Sequence, residues 1–387
     1  DVAYCDLSDP RTRGVALDDL VRELSPATTP TARPVLLLDE VHYAGDAWSR
    51  ALKQVVDRQD SRSPRIAIAD SALSFVRSAL QDDLADRHDS IRMHPLSFSE
   101  WHRLKQSQGV PVPSIEDEVG MARESHEYLW LGGFPAHATR RDQLYAVRED
   151  LRNMVVHQAV QEDIGRLIGL RHTDALERLF VARLAESGAQ LNVAQAAASS
   201  EVSGPTARHW LRALCDTGLL WTLDLHGRSS GKFERMQPKL YAVDPSLVGA
   251  CALPVFGRDD ERDATLDGRA IETAVAQALR VFSEPSERRL RLSVHQARGA
   301  RGAADGEIDF VLEDGTTTVA LEVTRHHDEK KLAKLVRTGR AIGATWFGVV
   351  SMTRTRREVT LVDGQEIHLL PLFELLLGLA RSEVWPW

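Results

Sequence analysis

Val35-Leu36-Leu37-Leu38-Asp39-Glu40 sets the frame for the whole chain. Four consecutive apolar residues suit a strand buried on both faces of a parallel sheet. Such a strand delivers its next residues to the carboxyl edge, where open α/β sheets bind ligands. An Asp at that edge can hold Mg²⁺, directly or through water, and a Glu beside it can polarise an attacking water. The plainer alternative is a strand that ends in two solvated acids.

The flanking sequence supplies the rest of an α/β layer. Asp1 to Cys5 reads as a short strand, and Val15 to Leu24 as a helix with Ala16, Leu17, Leu20, Val21 and Leu24 at helical spacing. Trp48 to Val56 is a second helix, Arg65 to Ala69 a strand, Ser71 to Leu84 a helix and Ile91 to His94 a last short strand. Strands alternating with helices indicate a parallel sheet. In that setting Asp39-Glu40 is a Walker B arrangement of a phosphate-loop ATPase. Its partner, G-x-x-x-x-G-K-[ST], is not in the sequence. The closest string, Gly227 to Lys232, is one residue short, is followed by Phe233 in place of Ser or Thr, and lies far downstream. Either the chain lost the loop or the sequence begins after it, and it begins at Asp1 rather than Met.

The 387 residues suffice for about two to three domains. Apolar residues make up 43% and charged residues 27%, which excludes a disordered chain, a collagen-like repeat and a coiled-coil rod. With 48 Lys+Arg against 56 Asp+Glu the net charge is −8, which argues against coating nucleic acid through overall charge. The apolar stretch from Leu369 to Ala380 is short and holds Glu374, so no membrane span is expected. Cys5, Cys215 and Cys251 lie too far apart for a metal knuckle and read as free thiols in a reducing cytoplasm.

Four segments follow from the pattern: an α/β domain over 1–105, a helical region over 123–188, a winged-helix unit over 189–250 and a second α/β domain over 264–387. Loops or polar linkers fall at 105–122 and 254–268. In the third segment, helices over Leu191–Val202 and Thr206–Thr217 flank Ser203-Gly204-Pro205, and strands over Leu219–Leu225 and Lys239–Val243 follow. DNA readout there would use Thr206, Arg208, His209 and Arg212 on the second helix and Arg228, Lys232 and Arg235 in the wing. Six basic and five acidic residues between Gly188 and Ser246 give no clear positive excess, which favours packing or protein contact.

In the fourth segment Glu272 falls on a helix, and Asp309 and Glu322 on paired strands, the carboxylate set of a PD-(D/E)xK nuclease site. The lysine position of that site is Thr324, and the nearest lysines, Lys330 and Lys331, lie on the following helix. A restriction-endonuclease-like fold that is catalytically silent is expected.

Several strings together resemble a family of prokaryotic AAA-type ATPases with a C-terminal domain of unknown function, DUF4143. They are Asp39-Glu40, Trp48, Leu52-Lys53 and Asp57, then Arg65 to Ser71, Leu84 to Arg87, and Pro95-Leu96-Ser97-Phe98-Ser99-Glu100. Gly132-Gly133-Phe134-Pro135, Glu162-Asp163-Ile164, Pro238-Lys239-Leu240-Tyr241 with Asp244, and Glu307-Ile308-Asp309-Phe310 complete the series. Departures are Asp70 at a sensor Gly, Asp86 at a Gly before Arg87, and the absent phosphate loop. The resemblance implies ATP and Mg²⁺ as cofactors, with Asp39 holding the metal and Glu40 orienting water. Ser71 would sense the γ-phosphate, and Arg87 would reach a neighbouring nucleotide in a homo-oligomer. The expected activity is ATP hydrolysis by the complete protein, coupled to a protein or DNA partner in the cytoplasm. The alternative is a non-hydrolysing DNA- or protein-binding module.

Overall fold

The computed structural model describes residues 2–12, 15–24, 35–45, 47–58, 63–70, 83–85, 87–140, 143–165, 169–170, 173–227, 237–252, 264–285, 290–298, 304–325, 328–382 and 385. The chain falls into two compact units. The first comprises Asp1–Arg92, Gln161–Arg171 and Arg212–Gly218, and the second Met93–Val160, His172–Leu211 and Leu219–Trp387.

The first unit holds three parallel strands, β1 (Val2–Asp6), β2 (Val35–Asp39) and β3 (Arg65–Ile68), in the order β1-β2-β3. Helix α1 (Leu17–Leu24) follows β1, and α2 (Trp48–Asp57) connects β2 to β3. Leu36 and Leu38 of β2 are buried in one core with Cys5, Leu17, Leu20, Val21, Trp48 and Leu52. Burying each such leucine contributes about 1.5–3 kcal/mol. Val35 and Leu37, on the opposite face, are only half-buried, so burial on both faces holds in part for β2. The alternation shows what a run of four apolar residues cannot: which face has a complete cover. The expected helix Ser71 to Leu84 lies almost wholly outside the described residues. Ile91 to His94 is irregular, not a strand. Ile91 and Met93 are each 87% exposed, so these apolar residues find no core to bury against.

The second unit begins with α3 (Phe98–Ser107), started by a capping box in which the Ser97 hydroxyl accepts from the Glu100 amide and the Ser97 amide donates to Glu100. Helix α4 (Glu118–Leu131) opens on Asp117. The irregular stretch between them is therefore 108–117, shorter than the loop expected over 105–122. Helix α5 (Leu144–Leu151) runs into a π-helical stretch, Arg152–Ile164, and α6 (Asp174–Ala185), α7 (Val193–Ser199) and α8 (Gly204–Asp216) follow; Gln161–Ile164 and Arg212–Asp216 of these belong to the first unit. Pro205 sits in the first turn of α8, where a missing amide costs nothing.

Strands β4 (Leu220–Leu223) and β5 (Lys239–Ala242) form an antiparallel pair, followed by α9 (Pro245–Ala252) and α10 (Ala264–Ser283). The helix takes in 264–268, which the sequence assigned to a polar linker; Ala264, Leu266 and Ala270 favour helix. The remaining strands are β6 (Arg291–Arg298), β7 (Ala304–Glu313), β8 (Thr318–Val323), β9 (Trp346–Ser351), β10 (Glu358–Val362) and β11 (Gln365–Pro371). They form a mixed six-stranded sheet in the order β10-β11-β9-β8-β7-β6, with α11 (Glu329–Ala341) and α12 (Leu372–Arg381). Ile308, Val311, Ala320, Leu332, Leu335, Val336, Phe347 and Val349 form the core beneath α11.

Several strings that carried the family resemblance meet in this unit. The Leu96 amide donates to the Gly133 carbonyl (2.7 Å), and the Tyr128 hydroxyl to the Leu96 carbonyl (2.8 Å). The Gly133 amide donates to the Asp244 carboxylate (2.7 Å), which also accepts from the Ser246 amide and hydroxyl. Gly132 has φ +73, and a Cβ there would lie 2.2 Å from Asp244 Oδ1. These residues clamp α4 to the start of α9.

Candidate functional site

Asp39 and Glu40 leave β2 at the carboxyl edge of the parallel sheet, with Asp39 in register with Asp6. Tyr4 donates its hydroxyl to Asp39 Oδ2 (2.8 Å), and the Glu40 amide donates to Asp39 Oδ1 (3.0 Å). Glu40 has φ 53 and ψ 51, a left-handed conformation that costs a non-glycine residue of order 1–3 kcal/mol and that turns the chain sharply after the strand. The turn brings His42 to Asp70. The His42 amide donates to Asp70 Oδ2 (2.8 Å), and His42 Nδ1 lies 3.1 Å from both Asp70 oxygens. Glu40 Oε2 is 3.2 Å from the same nitrogen. Glu40, His42 and Asp70 each offer a ligand atom within 4.8 Å of one another. Carboxylate oxygens suit Mg²⁺, whereas adding the imidazole makes that trio better suited to a transition metal.

Asp70 stands where the resemblance expects glycine, two residues past the carboxyl end of β3. Ser71, the expected γ-phosphate sensor, lies outside the described residues. Arg87 donates Nε to Asp57 Oδ1 (2.8 Å) and its NH1 to the Ala85 carbonyl. Within this unit the guanidinium is thus tied to the end of α2.

The four expected DNA-reading residues Thr206, Arg208, His209 and Arg212 all lie on α8; His209 and Arg212 are exposed and Thr206 and Arg208 half-buried. Arg228, Lys232 and Arg235, expected in the wing, lie outside the described residues. The strands of the hairpin are not a free wing. Every residue of β5 is buried, and Asp224 to His226 join the edge of the C-terminal sheet, with the Val294 amide donating to Asp224 (2.9 Å) and the His226 amide to Val294 (2.7 Å). Trp221 stacks on Tyr241 at 5.1 Å, and Tyr241 lies 6.1 Å from Phe310.

Burial of β5 places Lys239 among the expected nuclease-like carboxylates. Its Nζ is 2.9 Å from Asp309 Oδ1, 3.0 Å from Glu272 Oε1 and 3.1 Å from Glu307 Oε1, with its side chain 5% exposed. Tyr241 also donates to Glu272 Oε1 (2.8 Å), and the Val323 amide to Asp309 Oδ2 (3.0 Å). Gly188, at φ +85, lets its backbone approach Glu272; a Cβ there would lie 3.0 Å from the carboxylate. Glu272, Asp309 and Glu322 thus come together as the sequence expects, and Glu307 joins them.

The electrostatics follow from burial. Removal from water pushes the Lys239 ammonium's pKa down, but Asp309, Glu272 and Glu307 overcome this and hold it above the ordinary lysine value. Burial, then the charge of Asp309, pushes Glu272 up to about 7, against the pull of Lys239. The same two causes raise Glu322 well above the usual range, and a hydrogen bond to Asp309 holds its proton. Burial also raises the Tyr241 phenol.

Lys330 and Lys331 are exposed on α11. The lysine of the cluster is therefore one that sequence spacing missed, although it stands in the quoted string Pro238-Lys239-Leu240-Tyr241. A lysine at the head of an otherwise apolar strand was the available signal. Beside the cluster, a cavity of about 230 Å³ is lined by Gly268, Arg269, Ile271, Glu272, Val323, Thr324 and Arg325.

Comparison with known proteins agrees with part of this picture. Residues 1–102 match the model of an AAA domain. Residues 122–259 match a domain of unknown function, DUF8612, where the sequence resemblance pointed to DUF4143. No curated protein matches the chain. Among solved structures, the RuvB Holliday junction branch migration motor of Thermotoga maritima is 20% identical, with 57% of this chain and 72% of that chain covered and a TM-score of 0.27. The Orc1 protein of Aeropyrum pernix in complex with DNA is 11% identical, with coverage of 65% and 77% and a TM-score of 0.29. Likeness at these TM-scores carries no argument. No helix among the described residues is long and apolar enough to cross a membrane. What the chain shares with a known group is thus an AAA domain over its first 102 residues.

Proposed function

We propose that the chain is an ATP-binding protein of the AAA type that hydrolyses ATP and couples nucleotide state to a protein or DNA partner. The observation that supports this reading is Asp39-Glu40 at the carboxyl edge of a parallel sheet, within the stretch that matches an AAA domain. Glu40 orients the attacking water, Ser71 contacts the γ-phosphate, and Arg87 exchanges Asp57 for a nucleotide on a neighbouring copy. Bound Mg²⁺ would be held by Asp39 and would neutralise phosphate charge. The reading requires a phosphate-cradling loop, and the 387 residues contain none of the standard form. The test is phosphate release by the full-length gene product. Glu40→Gln should abolish hydrolysis and keep nucleotide binding; unchanged hydrolysis would overturn the assignment.

A second reading is a non-hydrolysing DNA- or protein-binding module. It is favoured by the Asp70 carboxylate, which stands beside the proposed phosphate position and is engaged by His42. Residues 191–243 would then act as a winged helix reading DNA through Arg208 and Arg212. Salt-dependent DNA affinity that is lost in Arg208→Ala/Arg212→Ala, without phosphate release, selects this reading. In both readings the C-terminal part is a DUF4143-like, restriction-endonuclease-like domain that does not cut DNA, and the protein works in the cytoplasm as a homo-oligomer.

A further inference from the structure

The turn after β2 gathers an imidazole and two carboxylates at the spacing of metal ligands. Glu40, His42 and Asp70 each present a ligand atom, all within 4.8 Å of one another, and no other His, Cys, Asp and Glu group among the described residues does so. Three carboxylate oxygens, both of Asp70 and Oε2 of Glu40, stand 3.1–3.2 Å from His42 Nδ1. A ring nitrogen carries at most one hydrogen, so one proton there cannot serve all three oxygens well, whereas one cation can. A tetrahedral Zn²⁺ bound at about 2.0–2.2 Å holds neighbouring ligand atoms about 3.3–3.5 Å apart, so the distances from Nδ1 need to open by only about 0.1–0.4 Å. Backbone bonds fix both arms of the trio. The Ala69 amide donates to the Leu38 carbonyl (2.8 Å), which ties the end of β3 to β2, and the Tyr43 amide donates to the Glu40 carbonyl (3.0 Å). The Asp70 side chain is 3% exposed, against 24% for His42 and 28% for Glu40. The trio therefore has a buried wall and an open side through which a metal can enter and a water can fill the fourth position.

We propose that Glu40, His42 and Asp70 form a site for a divalent transition metal of the zinc class, bound through His42 Nδ1 and the two carboxylates and separate from Mg²⁺ on Asp39. The imidazole decides the class: Mg²⁺ takes oxygen ligands, whereas nitrogen together with carboxylate oxygens suits Zn²⁺ and its neighbours. Asp39 stands outside the trio, accepting from the Tyr4 hydroxyl and the Glu40 amide. The metal site follows from the side chains alone, but its consequence for activity rests on the proposed ATPase reading. A Glu40 carboxylate fixed on the metal and neutralised by it no longer polarises an attacking water, so the filled site restrains hydrolysis.

The test is calorimetric titration of the full chain with Zn²⁺ in the presence of excess Mg²⁺. The wild type should bind one more Zn²⁺ per chain than His42→Ala, and one more than Asp70→Asn, which keeps an oxygen for the His42 amide. Co²⁺ in place of Zn²⁺ should give a visible ligand-field absorption in the wild type that both variants lack. Circular dichroism shows that each variant is folded, and Asp70→Asn answers the question alone should His42→Ala not fold. A wild type that binds no Zn²⁺, or folded variants that bind as much as the wild type, would overturn the site. The effect on activity is read separately, as phosphate release by the full-length gene product. Zn²⁺ at concentrations that fill the site should slow the wild type at least about tenfold and leave the rate of His42→Ala as it is without Zn²⁺. Hydrolysis that proceeds undiminished with the site filled overturns the restraint. A gene product that hydrolyses no ATP removes the ATPase reading and the restraint together, while the titration still decides the metal site.

Discussion

Lys239 Nζ and Asp309 Oδ1, 70 residues apart in sequence, lie 2.9 Å apart in a buried pair. One comes from the hairpin and the other from the C-terminal sheet, so this contact joins two segments that the sequence treats separately. Glu272 and Glu307 share the same ammonium. The pair therefore has consequences for stability that a surface ion pair would not have.

Lys239→Met should destabilise the protein by about 3–5 kcal/mol, because it removes the counter-charge from a buried group of carboxylates and leaves Asp309 and Glu272 to neutral donors such as the Val323 amide and the Tyr241 hydroxyl. Denaturant titration measures this. A loss below about 1 kcal/mol would place the pair with surface salt bridges and contradict its burial.

The acidity of Glu272 makes stability depend on pH in a definite direction. Its carboxyl is raised from 4.5 to about 7, so the folded state holds a proton that the unfolded chain releases. That contribution is complete below about pH 4.5 and disappears as pH rises past about pH 7. Glu322, also raised, acts with the same sign. Urea midpoints should therefore fall between about pH 5 and about pH 8, and fall less in Glu272→Gln, which keeps an acceptor for Lys239 and Tyr241 but does not titrate. Equal falls in both proteins would refute the role of Glu272.

Gly133→Ala should destabilise by about 1–3 kcal/mol, since its Cβ would stand 2.3 Å from the Leu96 carbonyl oxygen, a backbone atom that cannot rotate away. Gly204→Ala meets nothing within 4 Å and serves as the control, expected within about 0.5 kcal/mol of the wild type. Thermal or chemical melting of the two variants separates a steric requirement from a general preference for glycine.

Asp244→Ala removes the acceptor for the Gly133 amide and the Ser246 amide and hydroxyl, all buried. Each donor left without a partner costs about 1–3 kcal/mol. Asp244→Asn retains one carbonyl oxygen and should cost less. A neutral Asp244→Ala in denaturant unfolding would mean that water replaces the carboxylate.

The strings that suggested a family were legible because they satisfy local or backbone demands. Ser97 and Glu100 are three residues apart, as a capping box requires, and Gly132 marks a positive φ. Val35 to Asp39 declared a strand by composition, and the edge position of Asp39-Glu40 followed from it. Glu272, Asp309 and Glu322 could be picked out because helix and strand spacing puts their side chains at element edges. By contrast, Ile91 to His94 reads as a strand, but among the described residues it pairs with no strand, and Ile91 and Met93 stay exposed.

The sequence by itself determined the alternation of strand and helix, the acids at the end of β2 and three carboxylates of the second cluster. These depend on residues near one another along the chain, whose spacing encodes direction. Only the tertiary structure decided which lysine meets those carboxylates, that Asp70 engages His42, and that Arg87 pairs with Asp57. Each of these contacts closes a loop of 28 or more residues, and their partners are chosen by burial and by the charge left over after packing, which no local pattern records.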